Sequence, residues 1–167
     1  LRARVDRVKE LADTKDFVLV WCESNDESDA LASEIPGAVQ VQGSEDWESK
    51  EEKLDAFSRG ETRVMVTKPS IAGFGLNWQH CAHVIFASLS FSYESFYQAI
   101  RRSWRFGQKR PVHVDVVIAD VESTIWRTVR DKLEKHDEMK SAMRFANFGA
   151  SLGSKIKEAY TPTHKTN

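Results

Sequence analysis

Five short apolar runs, separated by segments of helical character, constrain the fold of this chain most strongly. They are residues 17–22, 38–42, 63–67, 83–87 and 112–118. Most of their centres lie roughly 20 to 25 residues apart, which leaves room for a helix between consecutive strands. Such crossovers are right-handed and join parallel strands, and runs without polar residues are typical of strands covered on both faces. The pattern predicts one three-layer α/β domain with a mostly parallel sheet, whose ligands gather at the carboxyl ends of its strands.

The helical segments can be placed from their caps and their apolar spacing. A helix is predicted over 1–14, and Ser24-x-x-Glu27 is a capping box that opens another over 24–35. A third helix follows Ser44, with Leu54, Phe57 and Trp47 on its inner side.

A long helix is predicted from Glu122 onward, because its apolar stripe continues as far as Met139 and Met143. The domain is predicted to occupy residues 1–148. Residues 149–167 are rich in Gly, Ser, Lys and Thr and are predicted to form a flexible tail.

Composition excludes several classes of protein. Lys and Arg together number 24 and Asp and Glu 25, so any nucleic-acid surface must be a local patch and not a consequence of net charge. Two cysteines provide no disulfide framework and suit a reducing cytoplasm. No apolar run approaches the length of a membrane span. His80-Cys81-Ala82-His83 has no second Cys or His pair at ligand spacing, so no metal site is predicted.

Residues 98–108 are the stretch with the clearest chemistry. In a helix over 93–106, Gln98, Arg102 and Arg105 would lie at i, i+4 and i+7 and share one face. Two like charges on one face repel each other, so the arrangement favours an anion such as a polyphosphate opposite them. Gly107 is predicted to close the helix in a left-handed conformation. The alternative is an exposed basic helix end that complements its own dipole.

This stretch resembles motif six of superfamily-two helicases and translocases. It matches the Swi/Snf-type form Gln-Ala-x-x-Arg-x-x-Arg-x-Gly-Gln at every specified position, although Arg101 stands where the general helicase form has Gly. The resemblance implies that Arg105 is the arginine finger that reaches the γ-phosphate of ATP across a cleft between two RecA-like lobes. It also implies that Arg102 is the companion of this finger and that Gln98 helps to hold the helix or the nucleotide.

The segment after the third apolar run resembles motif five of the same family. The typical form of that motif is Gly-Leu-Gly-Ile-Asn-Leu, and residues 73–78 of this chain correspond to it. By that resemblance, Gly75 and Asn77 border the nucleotide, while Lys68 and Ser70 face the nucleic-acid backbone. A tight Gly-x-Gly loop without a ligand is the alternative for this segment.

Residues 17–22 resemble motif four, and Val41-Gln42-Gly43-Ser44 resembles the Swi/Snf-type segment Leu-Asp-Gly-Ser. The second resemblance implies that Ser44 begins a helix whose free N–H groups hold a phosphate of the tracked strand. A plain N-cap serine explains the same residue equally well.

The sequence contains neither the phosphate loop nor the Asp-Glu box of a first helicase lobe. The resemblance therefore implies the RecA-like (P-loop NTPase-like) carboxyl-terminal lobe of an ATP-dependent DNA helicase or translocase, inactive alone. ATP would be shared with an N-terminal RecA-like lobe that also holds Mg²⁺, and duplex DNA would be the other partner.

Residues 103–111 resemble phage and prophage helicase-like proteins, which implies the cytoplasm of a bacterial or phage-infected cell. The alternative function is a stand-alone nucleic-acid-binding or regulatory module that has a helicase-like fold and no catalysis.

Overall fold

The fold was examined in a computed structural model, which describes residues 1–71, 76–90 and 92–135, and the backbone of 143–148. The elements follow one another as α1 (Arg2–Asp13), β1 (Val18–Trp21), α2 (Asn25–Glu34), β2 (Ala38–Gln40), α3 (Trp47–Ser58), β3 (Val64–Thr67), β4 (His83–Phe86), α4 (Tyr93–Ile100), β5 (Val112–Val116), a 3₁₀ turn (Asp120–Glu122), α5 (Ser123–Glu134) and β6 (Met143–Phe148). None of the helices in the described part of the chain has the length and apolar character needed to cross a membrane.

The strands form one sheet in the order β2-β3-β1-β4-β5-β6. All of the described strand pairs are parallel. The predicted α/β architecture with a mostly parallel sheet is therefore confirmed, and each of the five predicted strands is present.

The two faces of the sheet are covered by different helices. Val18, Val20 and Ile85 point toward α1 and α2, whereas Leu19 and Trp21 point toward α3, α4 and α5. The central strands β1 and β3 are buried along their whole length, which explains their continuous apolar sequence. Each large side chain fully buried there contributes roughly 1.5–3 kcal/mol to folding.

Strand β5 differs from these central strands, because apolar and polar residues alternate along it. Val112, Val114 and Val116 join the core on the side of α3, α4 and α5. His113 and Asp115 therefore face the α1 side of the sheet. These two side chains give β5 a polar face on that side.

The start of α2 is confirmed as predicted from the sequence. The Ser24 hydroxyl accepts the Glu27 N–H at 3.2 Å, and the Glu27 carboxylate in turn accepts the Glu23 N–H at 3.2 Å. Both bonds satisfy backbone donors that a helix start leaves unpaired.

The start of α3 differs from the prediction. Helix α3 begins at Trp47, and its N-cap is Asp46, whose carboxylate accepts the Ser49 N–H at 2.9 Å. The prediction that Ser44 begins this helix is wrong, since Ser44 lies in the preceding turn. An acidic cap occupies the helix start because Asp complements the positive end of the helix dipole. Trp47 was expected on the inner side, yet it is 73% exposed.

The chain after α5 also differs from the prediction. Helix α5 ends at Glu134, and Met143 begins strand β6, where it pairs with Val112. The predicted helical stripe as far as Met143 is therefore wrong, because pairing with the edge of β5 decides the conformation of this segment. Met139 and the predicted tail over 149–167 lie outside the described residues.

Candidate functional site

Helix α4 ends at Ile100, so Arg102 and Arg105 lie beyond it and share no helical face with Gln98. The prediction of one helix over 93–106 is wrong, and its physical reason is visible in the hydrogen bonds. The carbonyl of Arg102 accepts the Trp78 N–H at 2.9 Å. A continued helix would have needed that carbonyl for its own backbone bond.

Arg102 and Arg105 are instead presented by a series of turns over residues 101–108. The Arg105 guanidinium donates through Nη1 to the backbone carbonyl of Leu76 at 2.8 Å, and the residue is half-buried. This bond ties the segment that resembles motif six to the segment that resembles motif five. It fixes the guanidinium in place while its other N–H groups stay available.

Arg102 is half-buried, and its guanidinium has no hydrogen-bond or ion-pair partner among the described residues. Burial lowers the pKa of its guanidinium, and the positive charge of Arg105 lowers it further. Two guanidiniums that repel each other, without a carboxylate in contact, form a local site for an anion.

Gly107 and Gln108 hold this turn in place. Gly107 has φ of +93°, and a Cβ there would lie 3.0 Å from the Gln79 Oε1 atom. Its positive φ is confirmed, although the residue closes a turn and not a helix. Gln108 donates through Nε2 to the carbonyls of Gln79, at 2.8 Å, and Ser103, at 3.0 Å. Sequence reasoning gave Gln108 no role, but its place in the conserved form of motif six was the available signal.

The other residues assigned to the nucleotide are not in direct contact with the arginine turn. Gln98 is exposed on α4, and no side-chain hydrogen bond is seen for it among the described residues. Asn77 is also exposed, and its Oδ1 atom accepts the Gln79 N–H at 3.3 Å, so its side chain caps its own loop. Gly75 lies outside the described residues.

The arginine turn lies near the amino ends of β4 and β5 and not at the carboxyl edge of the sheet. Helix α4 starts after β4 and runs back alongside it for 8 residues, about 12 Å. The turn contacts residues 76–80, which lie just before the first residue of β4, His83. The expectation that all ligand-binding residues gather at the carboxyl edge is therefore wrong for the arginines.

The three residues assigned to nucleic acid do lie at the carboxyl edge of the sheet. Lys68 and Ser70 follow the end of β3, and Ser44 follows the neighbouring parallel strand β2. The two loops lie close together, since a Cβ on Gly43 would be 4.0 Å from the Ile71 side chain.

Lys68 is half-buried, whereas Ser70 and Ser44 are exposed. Burial and the neighbouring Glu27 raise the pKa of Glu23, and the charge of Lys68 partly opposes that rise. Lys68 therefore lies near the Glu23 carboxylate, a residue that was not among the predicted site residues.

Two other cations near the turn have internal partners. The Arg101 guanidinium lies 5.1 Å from the centre of the Trp104 ring, which is a cation–π contact. Arg110 donates to the carbonyl of His80. Arg102 thus differs from these two arginines, because its guanidinium has no partner among the described residues. It differs from Lys109, which is exposed, in being half-buried.

The family of this chain follows from its sequence. A model of the helicase conserved C-terminal domain matches residues 3–107, more than half of the chain. The chain belongs to that family. It is a helicase C-terminal domain of the superfamily-two type.

A relative of this helicase C-terminal domain is the helicase-like transcription factor CHR27 of Arabidopsis thaliana. The two are 32% identical over 106 residues, which is 63% of this chain and 10% of the relative. The chain therefore spans about a tenth of the curated relative that it matches. The resemblance to Swi/Snf-type proteins agrees with this relative, and the phage or prophage type stays a prediction.

Two solved structures show the same fold. The C-terminal part of the Fun30 ATPase domain has a TM-score of 0.66 at 22% identity and covers 75% of this chain and 44% of its own. The C-terminal domain of the DEAD-box protein Dbp5 has a TM-score of 0.68 at 17% identity and covers 82% of each chain. These likenesses confirm the RecA-like lobe.

Proposed function

We propose that this chain is the carboxyl-terminal lobe of an ATP-dependent DNA helicase or translocase. In this proposal Arg105 and Arg102 contact the phosphates of ATP held by an N-terminal RecA-like lobe. The observation that supports it is the half-buried Arg102, which has no counter-ion among the described residues and lies beside a second guanidinium. An unpaired charge away from water is unfavourable, and a phosphate between the two arginines would offset that cost.

The two arginines differ in what they can do. Arg105 is held by the Leu76 carbonyl, so little conformational freedom is lost when its remaining N–H groups meet a phosphate oxygen. A guanidinium placed in this way stabilises the charge of a transferring phosphoryl group and is worth about 10³ to 10⁵ in rate. Arg102 adds positive charge at the same place. ATP would supply the phosphoryl group, and the N-terminal lobe would hold Mg²⁺.

The proposed DNA contacts are Ser44, Lys68 and Ser70. Their location at the ends of two neighbouring strands supports a track for one backbone. Lys68 supplies its positive charge, and the two exposed hydroxyls can donate to phosphate oxygens. The name of CHR27, a helicase-like transcription factor, favours DNA as the nucleic acid. These contacts lie at the end of the sheet away from the arginine turn, so one protein could bind ATP and DNA together.

The test is the substitution Arg105→Ala in the complete protein that contains this chain. DNA-stimulated ATP hydrolysis should fall by at least about 10³-fold, while the affinity for duplex DNA stays within about twofold. The matched control is Arg101→Ala, which removes an adjacent cation that contacts Trp104. It should leave hydrolysis nearly unchanged.

Lys68→Ala tests the DNA contacts separately. It should weaken DNA binding for all sequences. The slope of log affinity against log salt concentration should fall by about one, which corresponds to the loss of one phosphate contact.

Equal hydrolysis by the Arg105→Ala protein and its parent would contradict the finger assignment. That result would favour a module that binds nucleic acid or regulates without catalysis.

A further inference from the structure

A cavity of about 330 Å³ lies on the α1 side of the sheet, between the end of α1 and the start of β4 and β5. This volume falls in the range of small-molecule sites. The cavity is on the opposite face of the sheet from α4 and the arginine turn that follows it. Its ionisable lining residues are Arg7, Glu10, Lys15, His83, His113 and Asp115.

Asp115 is the most unusual residue of this lining. It is 6% exposed, and its Oδ1 atom has no hydrogen-bond partner in the part of the chain that the structure describes. Burial raises the pKa of this carboxyl to about 6, although the charges of Lys15 and Arg7 oppose the rise. Above that pH the cavity therefore contains a buried carboxylate oxygen that accepts no hydrogen bond from the protein, which is rare because such groups are costly.

His83 provides a second polar atom without a partner. Its Nδ1 atom is buried and makes no hydrogen bond to any of the described residues. The ring stacks on that of His113 with centres 5.1 Å apart and planes 18° apart. Burial, together with the charge of Lys15, lowers the pKa of His83 to about 4, so its ring is neutral at pH 7.

The cations of the cavity act on Asp115 without touching it. Lys15 and Arg7 influence its carboxyl electrostatically, yet neither forms an ion pair with it. Arg7 is paired with Glu10 at 2.6 Å instead. The cavity thus has hydrogen-bond acceptors among its buried groups, and its two cations, Lys15 and Arg7, are not paired with Asp115.

We propose that this cavity binds a small phosphorylated polyol, whose hydroxyls donate to Asp115 and His83 while its phosphate faces Lys15 and Arg7. A lone phosphate fits poorly, because the Asp115 carboxylate repels an anion and needs a donor. A metal ion also fits poorly, since no group of three or more His, Cys, Asp or Glu side chains among the described residues is arranged to hold one. This site is independent of the proposed nucleotide site.

The test is a calorimetric or NMR titration of the 167-residue chain with ribose 5-phosphate. Saturable binding is expected, with ribose and inorganic phosphate each at least about tenfold weaker. Lys15→Gln and Asp115→Asn should each weaken the binding of ribose 5-phosphate by about tenfold. The matched control is Lys9→Gln, since Lys9 lies on α1 shortly before Lys15 and faces Glu34 outside the cavity. It should leave the affinity unchanged.

Three results would overturn the proposal. They are no saturation by ~10 mM ribose 5-phosphate, equal affinity for inorganic phosphate, and full affinity in the Lys15→Gln variant. Lys15 is only partly buried, so the Lys15→Gln variant should fold as the parent does, and its result decides the question.

Discussion

Two half-buried arginines in this domain have opposite surroundings. Arg4 on α1 lies between two carboxylates, with Glu27 at 3.0 Å and Glu122 closer still. Burial lowers its pKa, but the hydrogen bonds and charges of these carboxylates raise it overall. Arg102 has no such partner, and burial together with Arg105 lowers its pKa.

The difference separates a cation that is neutralised within the domain from one whose guanidinium has no counter-ion among the described residues. Arg4 joins α1 to α2 and to the 3₁₀ turn, so its charge is neutralised within the domain. Arg102 makes no such link among the described residues, so its charge is available to an external anion. Removal of Arg4 should therefore damage the fold, whereas removal of Arg102 should damage function alone.

The largest expected effect is that of Arg4→Met. It leaves Glu27, 3% exposed, without its cation, and loss of one partner of a buried pair costs about 3–5 kcal/mol. Urea unfolding monitored by circular dichroism would measure the change in the free energy of unfolding. Arg2→Met is the matched control, because Arg2 is on the same helix and 77% of its side chain is exposed. Equal effects of the two substitutions would contradict the structural role of Arg4.

A smaller effect, of opposite sign, is expected from Asp115→Asn. The pKa of Asp115 rises from 3.8 to about 6 on folding, so the folded chain binds this proton more tightly than the unfolded chain. Stability should therefore fall as the pH rises from about 4 to about 6 and stay low above it. Asn removes this loss and should stabilise the chain by about 2–3 kcal/mol at pH 8.

The advantage of Asp115→Asn should disappear below about pH 4, where the carboxyl is protonated in both states. Thermal unfolding at a series of pH values measures it. Asp55→Asn, on the exposed side of α3, is the control and should follow the parent at each pH. A constant difference between Asp115→Asn and the parent would show that titration of Asp115 is not its cause.

The smallest effect on folding is expected from Arg102→Met. Its free energy of unfolding should stay within about 0.5 kcal/mol of the parent, because the substitution breaks no described contact and relieves repulsion from Arg105. Tripolyphosphate should raise the melting temperature of the parent more than that of the variant. A large loss of stability, or equal stabilisation by the anion, would mean that Arg102 is a structural cation like Arg4.

Local sequence signals predicted the parts of the fold that depend on neighbouring residues. The Ser24 cap and the apolar strands β1 and β3 are correct because each follows from a few adjacent side chains. Helix α4 was predicted too long, since its end depends on the Trp78 N–H, 24 residues before Arg102 in the sequence. Met143 was placed in a helix because its pairing with Val112 cannot be seen in a local apolar stripe.

The candidate site shows the same division between local sequence signals and contacts of distant residues. The spacing of Gln98, Arg102 and Arg105 was enough to identify motif six and its family. It could not show that Leu76 holds one arginine, or that no carboxylate reaches the other. The polar positions of β5 were visible in its sequence, but the cavity that they line exists only because α1 ends beside them.

The amino-acid sequence by itself determined the family, the order of the elements as far as α5 and the apolar cores on both sides of the sheet. The tertiary structure alone decided which cations are neutralised and which are available, and where the arginine turn lies relative to the strands. The physical reason is the separation along the chain between the residues that interact. Caps and apolar periodicity act over a few residues, whereas charge pairing and turn geometry depend on groups brought together from distant parts of the chain.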